Sequence, residues 1–175
     1  LSFADNHNNL YYTIAASSPK GWFPRYTLKQ QNYFTVTGVS GDVKEGLLSE
    51  DGMLETDKQS FSVEPFLHLE GKFYTWNDVK ISHSLVDNYI PVPSVIWEGD
   101  NFDLKITSFA SGEVENSVLY SEYSVTNKTG KEISGSFFLA LRPFQVNPPW
   151  QDLNFYGGTA KIESIDLKNG YALVN

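Results

Sequence analysis

Cysteine is absent, so this chain has no disulfides, no thiolate nucleophile and no cysteine-based zinc or iron–sulfur site. The lack leaves the redox compartment open, because a protein on either side of a membrane can do without cysteine. Basic residues are scarce: 13 Lys and Arg stand against 21 Asp and Glu, for a net charge of −8. Phosphate backbones need clustered cations, and so do anionic membrane surfaces, so neither nucleic acid nor membrane is an expected partner. Long apolar runs are missing too. The longest, Phe137 to Leu141, is five residues, far short of a membrane-spanning helix. Leu1 opens without a basic region or an apolar stretch, so no signal peptide is read there.

What the chain has in abundance is aromatic residues: 12 Phe, 10 Tyr and 4 Trp in 175 residues. Its apolar residues repeat with period two. Phe61, Val63, Leu67 and Leu69 share one strand face, with Ser62, Glu64 and His68 on the other. Pro65 interrupts that run and suits a sheet edge or a bulge. Phe102, Leu104 and Ile106 alternate with Asp103, Lys105 and Thr107; Leu119, Tyr123 and Val125 alternate with Tyr120, Glu122 and Ser124. Such runs are half-buried and antiparallel in character. Strands are predicted at 10–16, 33–38, 61–70, 72–76, 79–86, 93–98, 101–110, 117–127, 135–144, 160–167 and 171–175. Many short strands with frequent turns make an all-β protein, an antiparallel β-sandwich, in a single domain spanning 1–175. Phe137 to Leu141, apolar on both faces, reads as a central strand covered on both sides.

Helix signals are thin. Val43 to Leu54 allows a turn or two, but Gly46 and Gly52 interrupt it. The surrounding stretch carries Asp42, Glu45, Glu50, Asp51, Glu55 and Asp57 against Lys44 alone, and reads as a solvated loop. Its spacing does not fit a calcium-binding EF-hand. Asn169-Gly170 is a hairpin turn, after which Tyr171 to Val174 starts a strand that stops at Asn175. That ending, and a first residue other than Met, read as a fragment of a longer multidomain protein.

No nucleophile elbow, phosphate-cradling glycine loop or metal-ligand spacing among His7, His68 and His83 is present, so no cofactor and no metal are expected. Carboxylate pairs remain available for glycoside chemistry, since 21 acids always supply some pair. Asp152, two residues from Trp150, is the most suggestive acid, because an aromatic neighbour can raise a carboxyl pKa. The richest stretch runs from Arg142 to Asp152. Pro143, Pro148 and Pro149 stiffen it around the polar planes of Arg142, Gln145, Asn147 and Gln151 and the indole of Trp150. Such planes beside an aromatic face suit a sugar, but they better suit a rigid loop whose amides bond backbone. Trp22, in Gly21-Trp22-Phe23-Pro24-Arg25, has the same two readings. Trp76 and Trp97, at strand ends, are expected in the core.

Three segments carry a resemblance: Phe61 to Phe66, Pro91 to Trp97, and Ala140 to Gln151 with its three prolines and Trp150. They resemble large bacterial glycosidase-like proteins often labelled coagulation factor 5/8 type C domain proteins, over residues 59 to 175. The resemblance implies a β-sandwich, with a galactose-mutarotase-like supersandwich as one form, placed before an (α/α)-barrel that carries the general acid and base. This chain has no such barrel, so the resemblance implies a non-catalytic N-terminal module whose partners are other domains of the parent chain. The parent would be a glycoside hydrolase or phosphorylase, with an exported location favoured. The alternatives are a carbohydrate-binding module contacting oligosaccharide through Arg142, Gln145, Asn147 and Trp150, and, least favoured, a small glycosidase using Asp152 and a distant acid.

Overall fold

Alternating apolar and polar residues become strands wherever one face can be buried, and here they build two packed antiparallel sheets. The computed structural model describes residues 3–150 and 157–175. A helix, α1 (Phe3–Ser17), precedes β1 (Phe34–Gly38), β2 (Glu45–Ser49), β3 (Leu54–Glu55), β4 (Ser62–Leu69), β5 (Lys72–Tyr74), β6 (Lys80–Val86), β7 (Ile90–Glu98), β8 (Phe102–Ser111), β9 (Val118–Asn127), β10 (Gly135–Arg142), β11 (Ile165–Lys168) and β12 (Tyr171–Val174). One sheet runs β1-β2-β3-β4-β10, with β5 also paired to β4; the other runs β6-β7-β8-β9. The hairpin β11-β12 forms a small sheet of its own. Its turn residues Asn169 and Gly170 both have positive φ, at 52° and 82°, as a type I′ turn requires.

The main core lies between the two large sheets. Leu48, Leu54, Leu67 and Leu69 meet Val95, Trp97, Phe102, Leu104 and Ile106. Each such side chain contributes about 1.5–3 kcal/mol by leaving water. Strand β8 alternates as its sequence predicts: Phe102, Leu104 and Ile106 are buried, and Asp103, Lys105 and Thr107 are not. Trp97 fixes the core's end by donating its indole N–H to the Asp51 carbonyl at 2.8 Å. Trp76 and Trp97 are both buried, as expected.

A second core covers the opposite face of the β1–β10 sheet. Tyr26, Leu47, Met53, Phe144 and Val146 pack there, beneath Tyr11, Tyr12 and Phe23. Strand β4 is therefore buried on both faces, Glu64 and Phe66 included, rather than half-buried. Pro65 sits inside this strand, not at an edge. It falls in the 64–66 window where neither β3, paired to 62–63, nor β5, paired to 67–69, adjoins β4, so that stretch of backbone has no ladder to serve on that side.

Five further expectations are corrected. The strand read at 10–16 is part of α1: Tyr11, Tyr12 and Ala15 fall at helical spacing on the side facing the second core, and Pro19 follows its end. The turn of helix read at 43–54 is β2 and the start of β3. Gly46 and Gly52 are not helix breakers. At Gly52, φ is +93° and an added Cβ would lie 2.3 Å from Ile106 Cδ1, so the β2–β3 turn presses directly on the main core. The acid-rich stretch is not a solvated loop, since Asp42, Asp51 and Glu55 are buried. Finally, β10 is an edge strand, paired only with β4 among the described residues, and Phe137, Phe138 and Leu139 are exposed. The strand read at 160–167 shortens to β11, beginning at Ile165.

Candidate functional site

The proline-rich stretch folds back on itself. Phe144 bridges Thr159; the Gln145 amide donates to the Gly158 carbonyl at 2.9 Å, and the Gly158 amide to the Asn147 carbonyl at 2.8 Å. Distant parts of the chain clamp it further. Asn32 Nδ2 donates to the Val146 carbonyl at 2.7 Å, and the Val146 amide donates to Glu55 Oε2 at 2.7 Å. Gln145 and Asn147 are consequently only 4% and 0% exposed, out of reach of a surface sugar. Gln151 and Asp152 lie outside the described residues. Trp150 is 54% exposed and meets Tyr26 edge-on, with ring centroids 6.2 Å apart.

Arg142 is occupied. Its Nη1 donates to Glu64 Oε2 and, at 2.6 Å, to the Trp22 carbonyl, while its guanidinium lies over the rings of Phe144 and Phe23 at 4.6 and 4.9 Å. A second pair lies on the same sheet face. Arg25 Nε and Nη2 each reach the Asp51 carboxylate at 2.7 Å, in a fork-on-fork pairing, and the guanidinium covers Trp76 at 4.5 Å. Burial pushes the Glu64 carboxyl up to about 7, with Arg142 opposing. Burial likewise raises Asp51 against the pull of Arg25, and raises Glu55 to about 7 against the pull of backbone amides, Val146 first. Three acids with raised pKa values would ordinarily suggest acid–base chemistry. Here the side chains of Arg25, Asp51, Met53, Glu64 and Trp76 close on one another and leave no room for a substrate, and Glu55 is fully buried. The arrangement is a fastening of the N-terminal segment and the proline loop to the sheet.

Of the sequence-predicted residues, Trp22 and Arg142 come together, and Trp150 stands apart from them. Gly21 explains where Trp22 goes: its φ is +89°, and a Cβ there would lie 1.9 Å from Thr75 Oγ1, so only glycine passes. Beyond it Trp22 emerges beside Phe73 (5.7 Å between centroids), Phe73 stacks on Phe66 (5.6 Å), and Phe138 lies 6.4 Å from Phe73. Trp22, Phe73 and Phe138 form an exposed aromatic strip on the outer face of the β1–β10 sheet. Sequence reasoning missed Phe73 and Phe138, which read as ordinary strand residues; only the pairing of both β5 and β10 to β4 makes them neighbours. Among the described residues no three His, Asp or Glu side chains converge as a metal site.

No family model, no curated protein and no solved structure matches this chain.

Proposed function

We propose that this chain is a non-catalytic β-sandwich module of a carbohydrate-active, glycoside hydrolase-like bacterial protein, and that it docks a helical domain of its parent chain. The observation that carries the docking reading is the uncovered apolar surface at β10. Phe138 and its aromatic neighbours are exposed on the outer face. Phe137 and Leu139 share the face of Leu67 and Leu69, yet β9 covers them only in part, with Tyr123 meeting Phe137 at 5.3 Å. Contiguous apolar surface of this kind marks an interaction site. The hairpin β11-β12 presents apolar residues of its own: Ile165, Leu167, Ala172 and Val174 share one face by register, and Leu167, with Tyr171 on the other face, is strongly exposed. The closed packing around Arg25, Asp51 and Glu64, and the full burial of Glu55, support a module without catalysis of its own. The resemblance of the three quoted segments supports the carbohydrate-active context.

In the test, Trp22→Ser and Phe138→Ser are combined. The isolated chain should stay folded and bind a hydrophobic-surface dye several-fold less, and the parent chain should become cleavable by protease between this module and its neighbour. A parent chain as resistant as the wild type would overturn the docking reading.

A second reading, carbohydrate binding, is favoured by the aromatic strip, because exposed ring faces stack on the CH faces of sugars. Its first test site is Trp22.

A further inference from the structure

We infer that the groove between β1 and β6, at the edge of the larger sheet opposite β10, is a binding site for a short neutral saccharide. The inference takes its ligand class from the second reading above and places it at a different site. The groove has a volume of about 610 Å³, within the range of small-molecule sites. Leu48 and Val95 floor it, and Tyr33, Thr35, Glu50, His83, Ser84 and Asn88 rise around it. A second hollow of about 390 Å³ borders it, sharing Glu50 and His83 and adding Arg25 and Asn77.

The chemistry of the walls selects the ligand. His83 Nε2 lies 2.9 Å from the Glu50 carbonyl oxygen. A carbonyl oxygen can only accept, so Nε2 carries the hydrogen, and in the neutral ring Nδ1 is left as an acceptor. The Glu50 carboxylate is a second acceptor, only partly engaged by the Tyr33 amide at 3.3 Å and by Arg25 at 3.6 Å. Arg25 is already committed to Asp51, and lysine is absent from the lining, so the depression lacks a spare cation for an anionic ligand. Asn77 and Asn88 offer both donors and acceptors, and Thr35 and Ser84 offer hydroxyls. Beside these groups stands Tyr33, 61% exposed. Hydroxyl donors for the acceptors, hydroxyl acceptors for the amides, a CH face for the ring and no anionic group together describe a mono- or disaccharide.

The experiment titrates the full chain with maltose, cellobiose and xylobiose to roughly 100 mM, well above the about 1 mM dissociation constant that one stacking contact and a few hydrogen bonds would give. Binding is followed by calorimetry and amide chemical shifts. One of these sugars should bind, with Tyr33→Ala and Glu50→Gln each weakening it at least about tenfold and Trp22→Ala leaving it unchanged. Tyr33 is a surface ring, so its variant folds even if the Glu50 variant does not. Binding that survives Tyr33→Ala and disappears in Trp22→Ala would overturn the groove site and leave the saccharide reading standing on the outer strip. Absence of binding by all three sugars to the folded chain would overturn both.

Discussion

The β1–β10 sheet is covered differently on its two faces. Towards the smaller sheet it meets an apolar core, in which Leu48, Leu54, Leu67 and Leu69 pack against Trp97, Phe102, Leu104 and Ile106. Towards α1 and the proline loop it buries charge: Arg142 with Glu64, Arg25 with Asp51, and Glu55 beneath the Val146 amide, set among aromatic rings. The first face needs only area and shape, and it tolerates approximate residues of the right size. The second depends on named partners, because a buried charge left alone costs far more than the pair gains. Two faces of one sheet should therefore fail in different ways.

The largest effect is expected on the charged face. Arg142→Met removes the guanidinium and leaves Glu64 buried without it, a loss of about 3–5 kcal/mol. Adding Glu64→Gln should recover most of that, as urea denaturation of both single variants and the double would reveal. On the apolar face Leu104→Ala should cost about 3 kcal/mol, the transfer and cavity terms together. No second substitution nearby is expected to restore it.

Acidity separates the faces further. Glu55 and Glu64 sit at about 7 when folded, above the ordinary carboxyl value of 4.5, and Asp51 shifts the same way. The folded state then holds those protons more tightly than the unfolded state. Their contribution is complete below the unfolded value and is lost as pH rises through the folded one. Stability should thus fall by about 2–3 kcal/mol for each of Glu55 and Glu64 between roughly pH 5 and pH 8, and Glu55→Gln should remove about half of that slope. A pH-independent urea midpoint would contradict the burial of these acids. The smallest effect belongs to Trp150→Ala. Half-exposed and touching Tyr26 edge-on, it should change stability by less than about 1 kcal/mol.

The same contrast explains what the sequence made legible. Strand β8 could be read residue by residue, because its alternation is written in adjacent positions and its burial is apolar. The stretch from Asp42 to Asp57 could not. Its acids look solvated until their partners are known, and those partners are remote: Arg25 lies 26 residues from Asp51, and Val146 lies 91 from Glu55. Three prolines mark the loop in the sequence, yet the burial of Gln145 and Asn147 goes with the clamping of their backbone by Asn32 and Gly158, which spacing does not reveal. Strand β10 misled in the opposite sense. Phe137 to Leu141 carry the signature of a strand covered on both faces, and here one edge and much of both faces lie open. A pattern that anticipates cover this strand does not receive is what the docking proposal accounts for.

Amide hydrogen exchange at residues 135–142 tests that proposal most directly. In the isolated chain β10 should exchange much faster than β8, whose two neighbours β7 and β9 hold its amides. In the parent chain, with the proposed helical domain seated against it, β10 should slow by at least about tenfold while β8 stays unchanged. Equal exchange of β10 in both chains would contradict the account.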